Sequence, residues 1–300
     1  MTRGEFIQGL GATACFAATG FATAGDGEKL PDAYAALQAD IDLVTPADFA
    51  AYRMGTDSPK LAALKALDAA FDKVVAEVKA TTVTDRPAVW LVYNMGVVVK
   101  TKESCFAIDL NHRKAAAVAE LFDFALITHN HGDHYTEAFY AAMNGARKTV
   151  VSNFRDNYGV KDWAKDGGYT HGNKTFVLRD VEVRTHVTDH NGYLVDFTSA
   201  MEVKIGDFVL LHTGDCSNIV KVNPACSAPD LWIVHPRCGT KVADGVAKFK
   251  PKKTVIAHLN ELGHARDRWR WTWSDGFAEA AKAESAGSAA VVPLWGERIS

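Results

Sequence analysis

From Leu126 to Tyr135 the chain reads LITHNHGDHY, which places His129, His131, Asp133 and His134 within six positions directly after an apolar run. Imidazole nitrogens and carboxylate oxygens at this density form a donor set suited to zinc, iron or manganese. His129 and His131 are two residues apart, so at a strand end both side chains leave on the same side. Asp133 and His134 fall in the turn that follows and reach a neighbouring point. One short loop can therefore feed two metal ions. A chance cluster of surface histidines is a poor account of so many ionisable groups at the end of a buried strand.

The segment HNHGDH resembles the HxHxDH signature of the metallo-β-lactamase superfamily, and the resemblance runs from roughly Val89 to His258 with later elements in the expected order. It implies that His129 and His131 serve one metal, and Asp133 and His134 the other. The next implied element is a lone histidine after a strand, and VEVRTHVTDHNGYLVDF offers two. His190 abuts Asn191-Gly192, a two-residue hairpin signal that puts it at a strand tip. His186 lies about 13 Å back along a strand at the usual rise, and its spacing to Tyr193 fits some members. His190 is preferred as the ligand, leaving His186 a supporting or structural role. In LLHTGDCSN the resemblance implies Asp215 as a carboxylate bridging both metals, with His212 a strand-face histidine. In TVIAHLNELGH it implies His258 for the second metal, while His264 reaches substrate or caps the loop. Asp109, ending FAIDL, is implied as the partner that orients a metal-bound imidazole. His235, in VHPR, is a candidate pocket residue.

The chemistry so implied is that of a di-metal hydrolase. Two divalent ions, zinc first with manganese or iron as alternatives, lower the pKa of water from about 15.7 toward about 7. Metal-bound hydroxide then attacks an ester, lactone, amide or phosphoester of a small molecule, with Asp133 or Asp215 orienting it and taking a proton. The spacing is most similar to the L-ascorbate-6-phosphate-lactonase-like branch, since YTEAF after His134 lacks the glycine-rich continuation of the β-lactamase and glyoxalase branches. The alternatives are a phosphodiesterase or nuclease, an iron-dependent oxygenase, and a non-catalytic exported scaffold.

The elements that must position these residues follow from the hydrophobic pattern. Pro31 to about Ala80 reads as helix, with Leu61, Leu64, Leu67, Phe71, Val74, Val75 and Val78 on one face. From Ala88 the pattern turns β-branched, AVWLVYNMGVVVKTKESCFAIDL reading as antiparallel strands. Strands and helices then intersperse to the C-terminus. The expected class is α/β (α+β), a four-layer αββα sandwich over 86–300 with a helical extension over 25–85. Residues 1–24 read as an export signal ending in a small-x-small site, either twin-arginine-like with Gly4 in place of the second arginine or of the general secretory type.

The chain has 300 residues, 48% hydrophobic, with a net charge of -3. That balance gives no pull toward long nucleic acids or an anionic membrane, and no segment is long and apolar enough to span one. The basic run Lys248 to Lys253 reads as a solvated loop before a strand. Five cysteines without a CxxC pair argue against a thiolate zinc knuckle. In RDRWRWTWSDG, burial of Trp269, Trp271 and Trp273 on the N-terminal helices is expected, a stacking wall for a ring-bearing substrate being the alternative.

Overall fold

Every residue of β1 (Ala88–Tyr93) is buried, and alternate side chains enter different cores. Val89 and Leu91 join an inner cluster, whereas Ala88, Trp90 and Val92 join an outer one. A strand behaves this way when both faces of its sheet are covered. The computed structural model describes residues 30–55, 57–152, 172–266 and 268–300. The expected export signal over 1–24 lies outside them.

One sheet has the order β13-β1-β2-β3-β4-β5, built from β1, β2 (Gly96–Lys100), β3 (Cys105–Ile108), β4 (Phe124–Ile127), β5 (Thr149–Ser152) and β13 (Glu297–Arg298). The other has the order β12-β11-β10-β9-β8-β7-β6. Its strands are β6 (Thr175–Leu178), β7 (Val181–His190), β8 (Leu194–Ile205), β9 (Phe208–His212), β10 (Leu231–Val234), β11 (Lys253–Ile256) and β12 (Ala289–Val291). Val97, Phe106, Ile108 and Leu126 of the first sheet meet Val183, Val203, Leu210 and Ile233 of the second in the inner core. Helices cover the outer faces, giving the αββα sandwich. The strands are not all antiparallel: β3, β4 and β5 run parallel, as do β9 to β12.

The helix expected over Pro31 to about Ala80 is three helices, α1 (Asp32–Ile41), α2 (Pro46–Met54) and α3 (Ala62–Ala80). Pro46 starts a new helix, and Thr45 with Asp48 forms a reciprocal N-terminal cap. Gly55 ends it in extended backbone. In α3 the expected face is buried at Leu64, Leu67, Phe71, Val74 and Val78, with Leu61 and Val75 half-buried. RKAAAVAELF forms a 3-10 helix at Ala115–Leu121, with Val118 outside helical geometry. The loop after β11 is tied to the α1–α2 turn by Arg270, which donates to the carbonyls of His264 (2.9 Å), Leu262 (2.9 Å) and Val44 (2.8 Å). The basic run is held to the body: Lys248 donates to Ile219 O at 2.6 Å and Lys252 meets Asp230 at 2.9 Å.

Two stability predictions arise here. In α4 (Val242–Phe249), a Cβ on Gly245 would stand 2.0 Å from Cη2 of the fully buried Trp232. Gly245→Ala should therefore destabilise by about 1–3 kcal/mol in denaturant titration, as overpacking does. A midpoint unchanged from the parent would show that the helix shifts freely.

The second concerns His112, stacked on Phe71 with centroids 4.1 Å apart. Tyr52 Oη donates to Asp68 Oδ1 at 2.7 Å, so His112 Nε2, 2.9 Å from Tyr52 Oη, is the donor of that pair. His112 Nδ1 accepts from Lys114 N at 3.2 Å, which makes the ring a neutral tautomer. Burial lowers its pKa to about 3, outweighing the pull of Asp68. The unfolded chain takes up this proton near pH 6.5 and the folded one only near pH 3. Stability is therefore lost as pH falls through that window, by up to about 1.4 kcal/mol per pH unit. His112→Gln, which keeps a donor toward Tyr52, should flatten the decline in Tm of metal-stripped protein below about pH 6.5. Parallel curves for the two proteins would contradict the assignment.

Candidate metal centre

The side chains singled out in the sequence lie at the C-terminal ends of parallel strands, with one from a hairpin tip. β3 is followed by Asp109, β4 by the loop carrying His129 to His134, β9 by the turn carrying Asp215, β10 by His235 and β11 by the loop carrying His258. The carboxyl ends of parallel strands open together on one edge of the sandwich, where loops converge. The antiparallel β7 reaches the same edge at His190, beside a bulge between Thr188 and the tip.

His129, His131 and His190 present ligand-type atoms within 4.8 Å of one another, as do Asp133, His134, Asp215 and His258. Asp215 lies between the sets. Its Oδ2 is 3.3 Å from His190 Nε2, 4.0 Å from His129 Nε2 and 3.6 Å from His258 Nε2, and its Oδ1 is 3.2 Å from His134 Nε2. Asp133 Oδ2 lies 3.0 Å from His258 Nε2 and 3.5 Å from His134 Nε2. His129, His134, His190, Asp215 and His258 are buried, whereas His131 and Asp133 are half-buried on the open side.

Several of these groups are held from behind. Asp109 accepts from Thr128 N (2.8 Å) and Thr128 Oγ1 (2.7 Å), and lies 2.8 Å from His134 Nδ1. His134 Nε2 is thereby turned toward the centre. His129 Nδ1 faces Thr128 Oγ1 at 3.0 Å and Thr198 Oγ1 at 3.3 Å. Asn94 Nδ2 donates to Asp133, at 3.1 Å to the carbonyl and 3.3 Å to Oδ2. Asp109 (φ 49°) and His258 (φ 57°) both adopt left-handed backbone, a strain that persists where surrounding structure imposes it. Gly214 (φ 52°) precedes Asp215, and a Cβ there would strike Thr128 at 2.8 Å. Glycine is what lets the β9 loop approach the β4 loop.

The electrostatics fit cation binding. Burial drives His129 well below the ordinary imidazole value and brings His131 to about 4, so both are neutral donors. Burial acts in the same direction on His134 and His258, but the carboxylates of Asp215 and Asp133, with Asp109 at His134, hold both above the usual value. Burial opposes ionisation of Asp133 and Asp215, yet the facing histidines keep both below the usual carboxylate range. Anions are thus fixed among buried nitrogens. His129 Nε2, His134 Nε2, His190 Nε2 and Asp215 Oδ1 are buried without a hydrogen bond. Such orphaned atoms call for a partner, and this donor set suits a transition-metal ion.

The other candidates sit around these groups. His186 faces Glu202 Oε2 at 3.4 Å and joins neither set. His235 stacks on His258 at 3.8 Å. His264 lies 2.7 Å from Glu261 Oε2 and raises its pKa through that contact. His212 is fully buried, 2.8 Å from Met95 O. Of the tryptophans, Trp273 is buried against Tyr34 as expected, Trp271 is partly buried beneath Arg237, and Trp269 is 55% exposed. The burial expectation fails at Trp269, where left-handed backbone (φ 65°) turns the chain outward.

Sequence reasoning missed Cys238. Its Sγ donates to Asp215 O at 3.0 Å and lies 3.9 Å from His190 Nδ1. It stands three residues past His235, at the end of a strand aimed at the centre, but a lone cysteine has no spacing to announce it. Burial raises its thiol pKa. Phe197, whose ring centroid lies 5.0–5.8 Å from those of His129, His131 and His190, was also missed.

Solved structures share this fold. CmlA, a diiron β-hydroxylase from Streptomyces venezuelae, matches with TM-score 0.53 at 15% identity over 71% of this chain and 53% of that one. Igni18, a metallo hydrolase from Ignicoccus hospitalis, matches with TM-score 0.52 at 16% identity over 71% and 98%. YhfI of Bacillus subtilis, a metallo-β-lactamase fold protein, matches with TM-score 0.51 at 14% identity over 72% and 100%. The chain therefore has the metallo-β-lactamase fold, and spans about half the length of CmlA. The likeness does not single out the lactonase-like branch. No protein-family model matches the sequence, and no curated protein matches it. Among the described residues no helix is long and apolar enough to cross a membrane.

Proposed function

We propose that this protein is a hydrolase that holds two divalent transition-metal ions and cleaves an ester, lactone, amide or phosphoester bond of a small molecule. The observation that carries the reading is the convergence of buried, unbonded His129 Nε2, His134 Nε2, His190 Nε2 and Asp215 Oδ1. Each such group left unpaired costs about 1–3 kcal/mol, a penalty that bound cations remove. His129, His131 and His190 would hold one ion and Asp133, His134 and His258 the other, with Asp215 between them. Zinc, manganese and iron all accept this nitrogen and oxygen set. When bound, such ions lower the pKa of water toward about 7 and polarise the scissile bond.

The chain's own residues do the rest. Asp133 has 15% side-chain exposure against 6% for Asp215. Asp133, held by Asn94, is therefore the carboxylate placed to meet and orient incoming water. Phe197 shields the three-histidine side from bulk water. Substrate enters over His131 and Asp133, the half-buried side. An extracytoplasmic substrate accords with reading residues 1–24 as an export signal.

The test is metal content by mass spectrometry on protein purified without chelators, followed by lactones, phosphodiesters and β-lactams. About two equivalents of zinc or manganese with chelator-sensitive turnover are expected. Iron with oxygen-dependent chemistry would move the reading to an oxygenase. No metal after reconstitution would sink the di-metal reading.

A further inference from the structure

We propose that Arg53 is the anion-recognition residue of this centre, so that the substrate carries a carboxylate or phosphate group close to the bond being cleaved. The inference rests on the di-metal reading above and adds a substrate class to it. Arg53 lies in the last turn of α2, outside the sandwich proper. Its helix is fixed by the Thr45–Asp48 cap, by buried Phe49 and Tyr52, and by the bond from Tyr52 to Asp68 on α3. The side chain is half-buried over the β4 loop. Nη1 lies 3.6 Å from the place a Cβ on Gly132 would occupy, and Nη2 is 3.4 Å from Tyr135 O, a long hydrogen bond.

Gly132 stands between His131 and Asp133 and is exposed. Having no side chain, it leaves the guanidinium open toward the half-buried side of the centre. Its carbonyl is held by Asn111 Nδ2 at 3.2 Å, so the loop presents itself to Arg53 in one position.

Several other arginines are paired with carboxylates. Arg113 binds Asp68 at 2.6 and 3.2 Å, Arg266 meets Asp42 at 3.0 Å and Arg237 meets Asp275 at 3.4 Å. Among the described residues, Arg53 has no carboxylate partner and a single carbonyl contact. Its Nη1 stands beside Gly132, between His131 and Asp133. The carboxylates of Asp109, Asp133 and Asp215 leave one positive charge of two divalent ions uncompensated, and Arg53 would add a second beside the β4 loop. A planar guanidinium matches two oxygens of a carboxylate or phosphate, and does so in a partly dehydrated site.

The experiment is calorimetric titration of metal-loaded full-length protein with inorganic phosphate and, separately, with malonate, comparing the parent with Arg53→Met and Arg53→Lys. Metal content and Tm are measured alongside. Arg53→Met should weaken binding of at least one anion by roughly tenfold to a hundredfold, the range of a charged hydrogen bond. Metal content and Tm should stay at the parent values, and Arg53→Lys, which keeps the charge without the two-oxygen fork, should recover only part of the affinity. The anion with the larger dependence names the group. Binding in Arg53→Met within about twofold of the parent, or no measurable binding to the parent, would overturn the proposal. If Arg53→Met loses metal or stability, the Lys variant decides: restored folding without restored anion binding assigns Arg53 a structural role. Arg53-dependent anion binding without turnover of any ester, lactone or phosphodiester would instead count against the hydrolase reading, leaving this one standing.

Discussion

Asp215→Ala should purify with no more than about one metal equivalent per chain and lose at least about 100-fold in kcat/KM, since even partners behind metal ligands cost 10–100-fold. The expectation follows from position. Asp215 is the candidate carboxylate that stands within 4.0 Å of nitrogens from both sets, His129 and His190 on one side and His134 and His258 on the other. Removing it leaves two cations with nothing between them, and takes away the anion that most strongly supports charge on His134 and His258. Asp215→Asn separates the two effects. It keeps the shape of the loop, including the bond from Cys238 Sγ to Asp215 O, and removes only the charge. It should keep one ion and still lose turnover. Mass spectrometry and chelator titration read the first quantity, initial rates on the preferred substrate the second. Two tightly held equivalents with unchanged turnover in Asp215→Ala would show that the bridge is not at this carboxylate.

The strand ends were legible because they combine two signals that seldom coincide, a buried apolar run and an ionisable residue directly after it. His129, Asp215 and His258 all stand in that context, and the fold brings their strand ends together because parallel strands share a carboxyl edge. The helical face of α3 was legible for the same kind of reason, a period sustained over many residues. Single turns were less so: one helix was expected where Pro46 and Gly55 make three. What could not be read was everything that depends on sequence-distant approach. Asn94 holds Asp133 from 39 positions away, and Thr198 reaches His129 from 69. Arg53 arrives from a helix that looked like covering material. These residues carry no local pattern, since their roles exist only once two loops meet. Trp269 illustrates the converse, a large apolar side chain whose type argued for burial while its backbone placed it outside.

His190→Ala should lose about one metal equivalent and most activity, whereas His186→Ala should keep both ions and lose at most about 1 kcal/mol of stability, the worth of one hydrogen bond. The two histidines lie on the same strand four residues apart, so the contrast tests the register of β7 as much as the ligand set. His186 pairs with Ala200 across the ladder, and its ring faces Glu202, a buried carboxylate also bonded to Ala225 N and Cys226 N. Truncating His186 therefore leaves Glu202 two partners. His190, past the bulge at the tip, has Nε2 buried with no hydrogen bond and 3.3 Å from Asp215 Oδ2. Truncating it opens the three-histidine set and leaves His129 and His131 too few to hold an ion firmly. Since Asp215 also faces the second set, that ion should stay, and the remaining equivalent should resist chelation more than any ion left in Asp215→Ala. If His186→Ala were instead the variant that lost metal, β7 would have to run with a different register against β8. The Thr198 contact to His129 would then be broken as well, and Thr198→Val would leave metal affinity unchanged.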